Sequence, residues 1–295
     1  MPEPGLKPSS HATADSRVIP ASQTAIVLVA HGERGGVQKN ASLAAHVGAI
    51  ECDRTFRFVG GGVLNGEPEL QTALAAAKAS GAQRILVYPM FMASGYFVDV
   101  KIPEELRNAG CDDICEVMSP LGSDTDLPAV MLARAVGVAR KANLSPALTR
   151  LLVVGHGSQR GAPDSLRATQ KFAALVRGRG VFKQVDIALL EEEPFVRDVL
   201  KVSQLPTVAV GYFYAPGLHA AEDVPKAISE TGADALYTGS VGENSATTEL
   251  ICSAILGAAA EPVSESSSVA KATGQKSSSG GLKRFFLGLF GIKTT

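Results

Sequence analysis

The chain of 295 residues has little net charge, no long apolar run and few cysteines, and each shortage narrows the range of possible functions. A formal net charge of −1 argues against nucleic acid as the main partner, because a phosphate-binding surface needs an excess of basic residues. No run reaches the roughly 18 to 20 apolar residues that span a bilayer. Hydrophobic residues (45%) and charged residues (19%) are balanced as in soluble globular proteins.

The four cysteines include no C-x2-C pair of the kind that marks tight zinc sites. Cys111 and Cys115 are four residues apart, but a strand predicted to begin at residue 114 means that they need not share a helical face. We therefore expect small buried cysteines. The first residues are polar, contain several prolines and lack the apolar core of a secretory signal. This predicts a cytoplasmic protein, in which thiols stay reduced.

Short apolar runs alternate with helical segments, and the order starts again near residue 148. Strands that are apolar along their whole length belong in a parallel sheet covered on both faces. The predicted strands are residues 25–29, 56–64, 84–89, 114–118, 151–154, 185–190, 207–214 and 235–239. The predicted helices are residues 38–50, 67–80, 102–109, 126–143, 165–177, 194–202, 221–231 and 245–256. The fold class is α/β, with two tandem domains that are each a doubly wound parallel sheet flanked by helices.

Three landmarks show that the second half repeats the first. VAHG at 29–32 matches VGHG at 154–157, LNGEP at 64–68 matches LEEEP at 190–194, and FMASGYFVDVKIP at 91–103 matches FYAPGLHAAEDVP at 213–225. All three pairs occur in the same order, about 125 residues apart. Three matches at nearly one offset indicate an internal duplication.

We divide the chain into four parts on this basis. Residues 24–143 and 148–258 form the two domains, separated where Asn and Pro interrupt a helical pattern. Residues 1–23 are expected to be a disordered arm. Residues 259–295 combine a flexible linker rich in Ser and Gly with a short apolar and basic segment. That segment, residues 282–292, could contact a membrane surface, a partner protein or its own chain, and the sequence leaves these options open.

Histidines and carboxylates follow the strands of the second half, where the carboxyl ends of parallel strands line a ligand crevice. His156 follows the first strand of that half, His219 follows the third, and Glu193 lies after the strand between them, beside Glu191. Two imidazoles and a carboxylate suit a borderline divalent metal such as Fe²⁺ or Co²⁺. A single histidine at a strand end is more often a satisfied polar residue, but two with a glutamate inside a matched repeat favour a metal site.

Two hydrolase classes fit the sequence poorly. A histidine phosphatase needs a guanidinium directly before its strand-end histidine, and Ala30 and Gly155 occupy those positions. A serine hydrolase needs G-x-S-x-G at a strand-to-helix turn, and Ser158 lies in GHGSQ instead. The chain also has no G-x-x-x-x-G-K-[ST] phosphate loop.

The elements VVGHGSQRG, LEEEP and FYAPGLHAAEDVP resemble the three signatures of the sirohydrochlorin chelatase family, whose long members contain two tandem copies. The resemblance covers residues 24 to 256. It implies insertion of Co²⁺ or Fe²⁺ into sirohydrochlorin without a nucleotide, for cobalamin or sirohaem synthesis. The metal is then a substrate, and the tetrapyrrole is the other partner.

The resemblance also implies roles for individual residues. His156 and His219 would hold the incoming metal, and Glu193 or Glu191 would act as a ligand or as the base that collects pyrrole protons. The carboxylates of the tetrapyrrole need donors. Ser158, Arg160, Arg34 and His31 are the candidates.

The first half departs from the pattern. It keeps His31 and Glu67, but Phe97 stands where His219 does and Asn65 replaces Glu191. Either His31 contributes to one shared site between the halves, or the first half is a degenerate scaffold that holds the ring, and we favour the second. A non-enzymatic carrier of metal or tetrapyrrole is the alternative function.

Overall fold

The computed structural model describes residues 18–33, 40–52, 54–158, 163–202, 204–215, 217 and 222–263, which form two parallel sheets of four strands. The strands are Thr24–Ala30 (β1), Phe58–Val63 (β2), Arg84–Pro89 (β3), Cys115–Val117 (β4), Arg150–Gly155 (β5), Gln184–Leu189 (β6), Thr207–Tyr212 (β7) and Ala235–Tyr237 (β8). The first sheet has the order β2-β1-β3-β4 and the second the order β6-β5-β7-β8. The duplication seen in the sequence is therefore a duplication of topology, and the α/β prediction is confirmed.

Eight α-helices connect and cover these strands within the described ranges. They are Ala41–Cys52 (α1), Leu70–Ala79 (α2), Ile102–Asn108 (α3), Leu127–Lys141 (α4), Asp164–Arg177 (α5), Val196–Lys201 (α6), Val224–Thr231 (α7) and Ser245–Ala260 (α8). The predicted elements are all present, with ends shifted by a few residues. A π-helix at Tyr96–Lys101, directly before α3, is an addition that the sequence pattern did not indicate.

β1 and β5, which are inner strands of their sheets, are buried on both faces, as their continuous apolar sequences predict. Alternate residues of β1 point to different cores, because successive side chains of a strand face opposite ways. Val27 packs among residues of the first half only, with α2 and α3, whereas Leu28 belongs to a core shared by both halves. Leu152 and Val153 of β5 divide in the same way.

The shared core exists because the halves exchange their last helices. The sequence pattern predicts that the helix at 126–143 closes the first half, but α4 packs on β7 and α5 of the second half. In return, α8 packs on β3 and α1 of the first half. The apolar pattern of a helix predicts that it has a buried face but does not say which sheet covers it, so this exchange was not visible in the sequence.

Hydrogen bonds that cross between the halves accompany this exchange. The Tyr212 hydroxyl lies 3.2 Å from the carbonyl oxygen of Met92 and 3.2 Å from that of Gly122. The Arg134 guanidinium of α4 donates to the Ser240 carbonyl at 2.7 Å. The two sheets are thereby fixed against each other near the carboxyl ends of β3 and β7.

The ends of the chain differ in part from the sequence prediction. The sequence predicts a disordered arm over residues 1–23, but Ala21–Gln23 forms a short 3₁₀-helix before β1 and Ile19 is buried. Residues 1–17 and the apolar segment 282–292 lie outside the described residues. Among the helices that are described, none has the length and apolar character needed to cross a membrane.

Candidate functional site

His156 begins the candidate site at the carboxyl end of β5, the strand that pairs with both β6 and β7. The loop after β6 runs alongside it, because the Glu191 amide donates to the His156 carbonyl oxygen at 3.0 Å. This backbone contact brings the two side chains together. Nδ1 of His156 lies 3.5 Å from Oε2 of Glu191 and 3.1 Å from the carbonyl oxygen of Gly157.

These contacts fix how the imidazole of His156 can be used. A carbonyl oxygen and a carboxylate only accept hydrogen bonds, so Nδ1 carries the proton of the neutral ring. The lone pair that can bind a metal is then on Nε2, and the contacts at Nδ1 hold the ring in one orientation. The side chain of His156 is 44% exposed, so a ligand can reach it.

The three glutamates after β6 occupy different environments. Glu191 contacts His156, and Glu193 is exposed where the loop leads into α6. Glu192 is packed against Gly157, where an added Cβ would lie 3.0 Å from its Cγ at a φ of +78°. The positive φ together with this close approach favours glycine at position 157. Within the described part of the chain, Oε1 of Glu192 is buried and has no hydrogen-bond partner, which is costly for a polar group.

Several predicted site residues fall outside the described ranges. These are His219, Arg160 and Arg34. Ser158 is described and half-buried, two residues beyond the histidine. The described residues alone contain no group of three or more His, Cys, Asp or Glu that could hold a metal ion, and the predicted ligand set is incomplete without His219.

The first half shows the corresponding geometry. The structure describes both His31 and Phe97, the positions that match His156 and His219 in the repeat. The backbone N–H of Asn65 donates to the His31 carbonyl oxygen at 3.0 Å, as the backbone N–H of Glu191 does to His156. Phe97, which matches His219 in the repeat, lies edge-on against the His31 ring with 4.6 Å between ring centroids. The first-half positions of the predicted metal pair are thus in contact. Phe97 and Asn65 supply neither an imidazole nor a carboxylate there, and Glu67 is exposed.

Two other features were not apparent from the sequence. His46 of α1 is buried, and its Nδ1 lies 2.9 Å from the hydroxyl of Thr248 on α8, which makes it a contact between the halves. The Sγ atoms of Cys111 and Cys115 are 3.4 Å apart, and both residues are buried as expected. The expectation of buried cysteines is wrong for Cys52, which is exposed, and Cys252 is only partly buried. Surface cavities of about 550 and 300 Å³ border Phe58 and Arg150, at the amino ends of the strands and away from His156.

Two copies of a parallel α/β unit, each with a histidine after its first strand, define a protein of the chelatase fold. A model of the CbiX family matches residues 25–137 and again residues 150–261. The chain therefore belongs to the CbiX family and contains its domain twice. This confirms the predicted resemblance to sirohydrochlorin chelatases.

Three relatives illustrate the match. A protein of Halobacterium salinarum, described as a probable sirohydrochlorin cobaltochelatase, is 26% identical over 225 residues, which are 68% of this chain and 75% of that protein. A CbiX structure, described as the terminal enzyme for biosynthesis of siroheme in denitrifying bacteria, is 30% identical, with a TM-score of 0.65 over 79% of this chain and 98% of that one. SirB from Bacillus subtilis with Fe³⁺ has a TM-score of 0.68 at 20% identity, covering 80% and 96% of the two chains, and supports the fold.

Proposed function

We propose that this chain inserts a divalent metal, Co²⁺ or Fe²⁺, into sirohydrochlorin without using a nucleotide. The observation that carries the proposal is the contact between His156 and Glu191 at the open end of β5, in a chain of the CbiX family. The names of the relatives support both the substrate class and the two metals. The product would serve cobalamin or sirohaem synthesis in the cytoplasm.

In this proposal Nε2 of His156 and the imidazole of His219 hold the metal before transfer. The tautomer of His156 supports the first part. The second part rests on the repeat, because the first-half counterparts, His31 and Phe97, have touching rings. Imidazoles bind such ions through one nitrogen each and leave positions open for the pyrrole nitrogens.

The glutamates of the loop after β6 would handle the protons. Metal insertion displaces two pyrrole protons for each M²⁺ that enters the ring, so the site needs acceptors that can pass protons to water. Glu192 has a buried oxygen with no hydrogen-bond partner among the described residues and suits uptake of a proton, and Glu193, which is exposed, suits its release. Glu191 orients His156 and can also complete the metal coordination.

The remaining predicted residues would hold the carboxylate rim of the tetrapyrrole. Ser158 lies beside the metal-binding loop, and Arg160 and Arg34 follow the two strand-end histidines in sequence. His31 is exposed at the end of β1 and would contribute a donor from the first half. We propose residues 24–143 and 148–258 as the two domains that enclose this cleft, each completed by a helix of the other.

The direct test mixes purified protein with sirohydrochlorin and either Co²⁺ or Fe²⁺ at equal free concentration. The visible spectrum of the ring should change faster than in the blank without protein, and the ratio of the two rates gives the preferred metal. A carrier would bind metal or ring, but insertion would run no faster than in the blank. That outcome would replace the enzymatic proposal with the carrier.

A further inference from the structure

The π-helix Tyr96–Lys101 exposes apolar side chains to an unusual degree. Tyr96 is 62% exposed, Phe97 38% and Val100 49%, whereas Val98 is buried beneath them. Concentrated apolar exposure on a folded surface indicates a contact site, and π-helical turns are frequent at functional sites. Apolar side chains that are exposed to water do not stabilise the fold. This surface is therefore a candidate for binding a ligand.

Packing inside the first half holds this aromatic surface in one orientation. Phe97 stacks on Phe91 with 6.1 Å between centroids, meets His31 edge-on, and meets Tyr96 edge-on at 5.6 Å. Lys101 at the end of the segment is engaged by Glu104 and Glu105 at 2.9 and 3.3 Å. The segment therefore presents flat rings, and its own cation is already paired.

The loop before this surface lies against the half that carries the candidate metal site. An added Cβ on Gly95 would lie 3.0 Å from Oδ2 of Asp164, which begins α5 shortly after His156. Met92 accepts the hydrogen bond from Tyr212 at the end of β7, next to the strand of His156. The aromatic surface of the first half, formed by Tyr96 and Phe97, thus borders the side of the second half that carries His156 and the candidate metal site.

We infer that Tyr96 and Phe97 form the surface on which the macrocycle of the tetrapyrrole lies, while the second half delivers the metal. This inference rests on the proposed function. A conjugated ring has apolar faces and a carboxylate rim, and offset or edge-on contact with aromatic side chains favours such faces. Phenylalanine in place of a histidine at position 97 removes a competing metal ligand and adds apolar area, so the degenerate half gains a binding role.

The test measures binding of metal-free sirohydrochlorin, through its own absorbance and fluorescence, to Tyr96→Ala and Phe97→Ala. Each variant should bind the ring about tenfold more weakly and show a raised KM with a kcat close to that of the parent. Tyr96→Phe should restore binding, because it keeps the flat ring. Binding of Co²⁺ alone should stay unchanged in all three.

Leu148→Ala is the matched control. Leu148 is 67% exposed but lies just before β5 begins, at the amino ends of the strands and away from the candidate site. It should bind the ring like the parent. If Tyr96→Ala and Phe97→Ala also bind like the parent, which itself inserts metal, the inference fails and the proposed function stands. If the parent binds the ring and the two alanine variants lose it, but no protein accelerates insertion, the aromatic surface stands and the enzymatic proposal fails.

Discussion

The rings of His31 and Phe97 meet edge-on at the carboxyl end of the first sheet, with their centroids 4.6 Å apart. In the duplicated sequence these two positions correspond to His156 and His219. The first half thus has the spacing of an imidazole pair and lacks one imidazole. A single substitution would supply it.

Phe97→His should create a second site for a divalent cation. With His31 already in contact with position 97, two imidazoles would face each other, and such a pair binds Co²⁺ readily. Equilibrium dialysis or calorimetry with Co²⁺ should show the stoichiometry rising from one ion per chain to two. The double variant His31→Ala/Phe97→His should again bind one Co²⁺ per chain. If Phe97→His alone also binds only one, the geometry inferred from the repeat is contradicted.

His219→Ala and His156→Ala should abolish metal insertion and leave the melting temperature nearly unchanged. His156 is half-exposed in an open loop, so its loss removes a ligand without removing core packing. Metal binding by calorimetry and the rate of insertion into sirohydrochlorin provide the measurement. A fall of many degrees in the melting temperature would show instead that these histidines are structural.

His46→Ala is the matched control for both histidine variants, with the opposite expectation. The ring is buried, and its hydrogen bond to Thr248 joins α1 to α8 across the halves. Removing it should lower the free energy of unfolding by about 1–3 kcal/mol while the protein that remains folded still binds metal.

Glu191→Gln should weaken metal binding by about 10- to 100-fold, the effect typical of losing a carboxylate that orients a ligating histidine. The amide keeps the size of the side chain but removes the negative charge 3.5 Å from Nδ1 of His156. Glu193→Gln, at an exposed position in the same loop, should leave Co²⁺ affinity nearly unchanged and slow insertion if it relays protons. Equal losses of affinity in both variants would argue for direct coordination by Glu193.

Much of the fold could be predicted because its signals are local. Continuous apolar runs such as β1 and β5 require a covered parallel sheet, and the repeated His-Gly after each of them indicates where the site lies. The exchange of α4 and α8 could not be predicted. Either sheet would satisfy the apolar face of each helix, and the choice depends on contacts between residues more than 100 positions apart, such as Arg134 and Ser240.

Details of the site were hidden for a related reason. In a strand the side-chain direction follows a period of two, but the run of three glutamates lies in a loop, where local turns decide which carboxylate faces His156. Cys111 and Cys115 come together because a turn, and not a helix, separates them before β4 begins. The exposed rings of Tyr96–Lys101 lacked a periodic signal, since a single π-helical turn is too short to show one.

The stability of the fold should fall as the pH is lowered below about 6.5, and His46 should account for part of that loss. Burial lowers the pKa of His46 from its ordinary value of 6.5, so the unfolded chain takes up a proton that the folded chain refuses. The stabilisation is complete above pH 6.5 and decreases as the pH falls towards the lowered pKa. Burial raises the pKa of Glu33 and Asp124, so these carboxyls act in the opposite direction at lower pH. Chemical denaturation between pH 7.5 and 5 should therefore show a shallower loss in His46→Gln than in the parent, and parallel curves would exclude His46 as the titrating group.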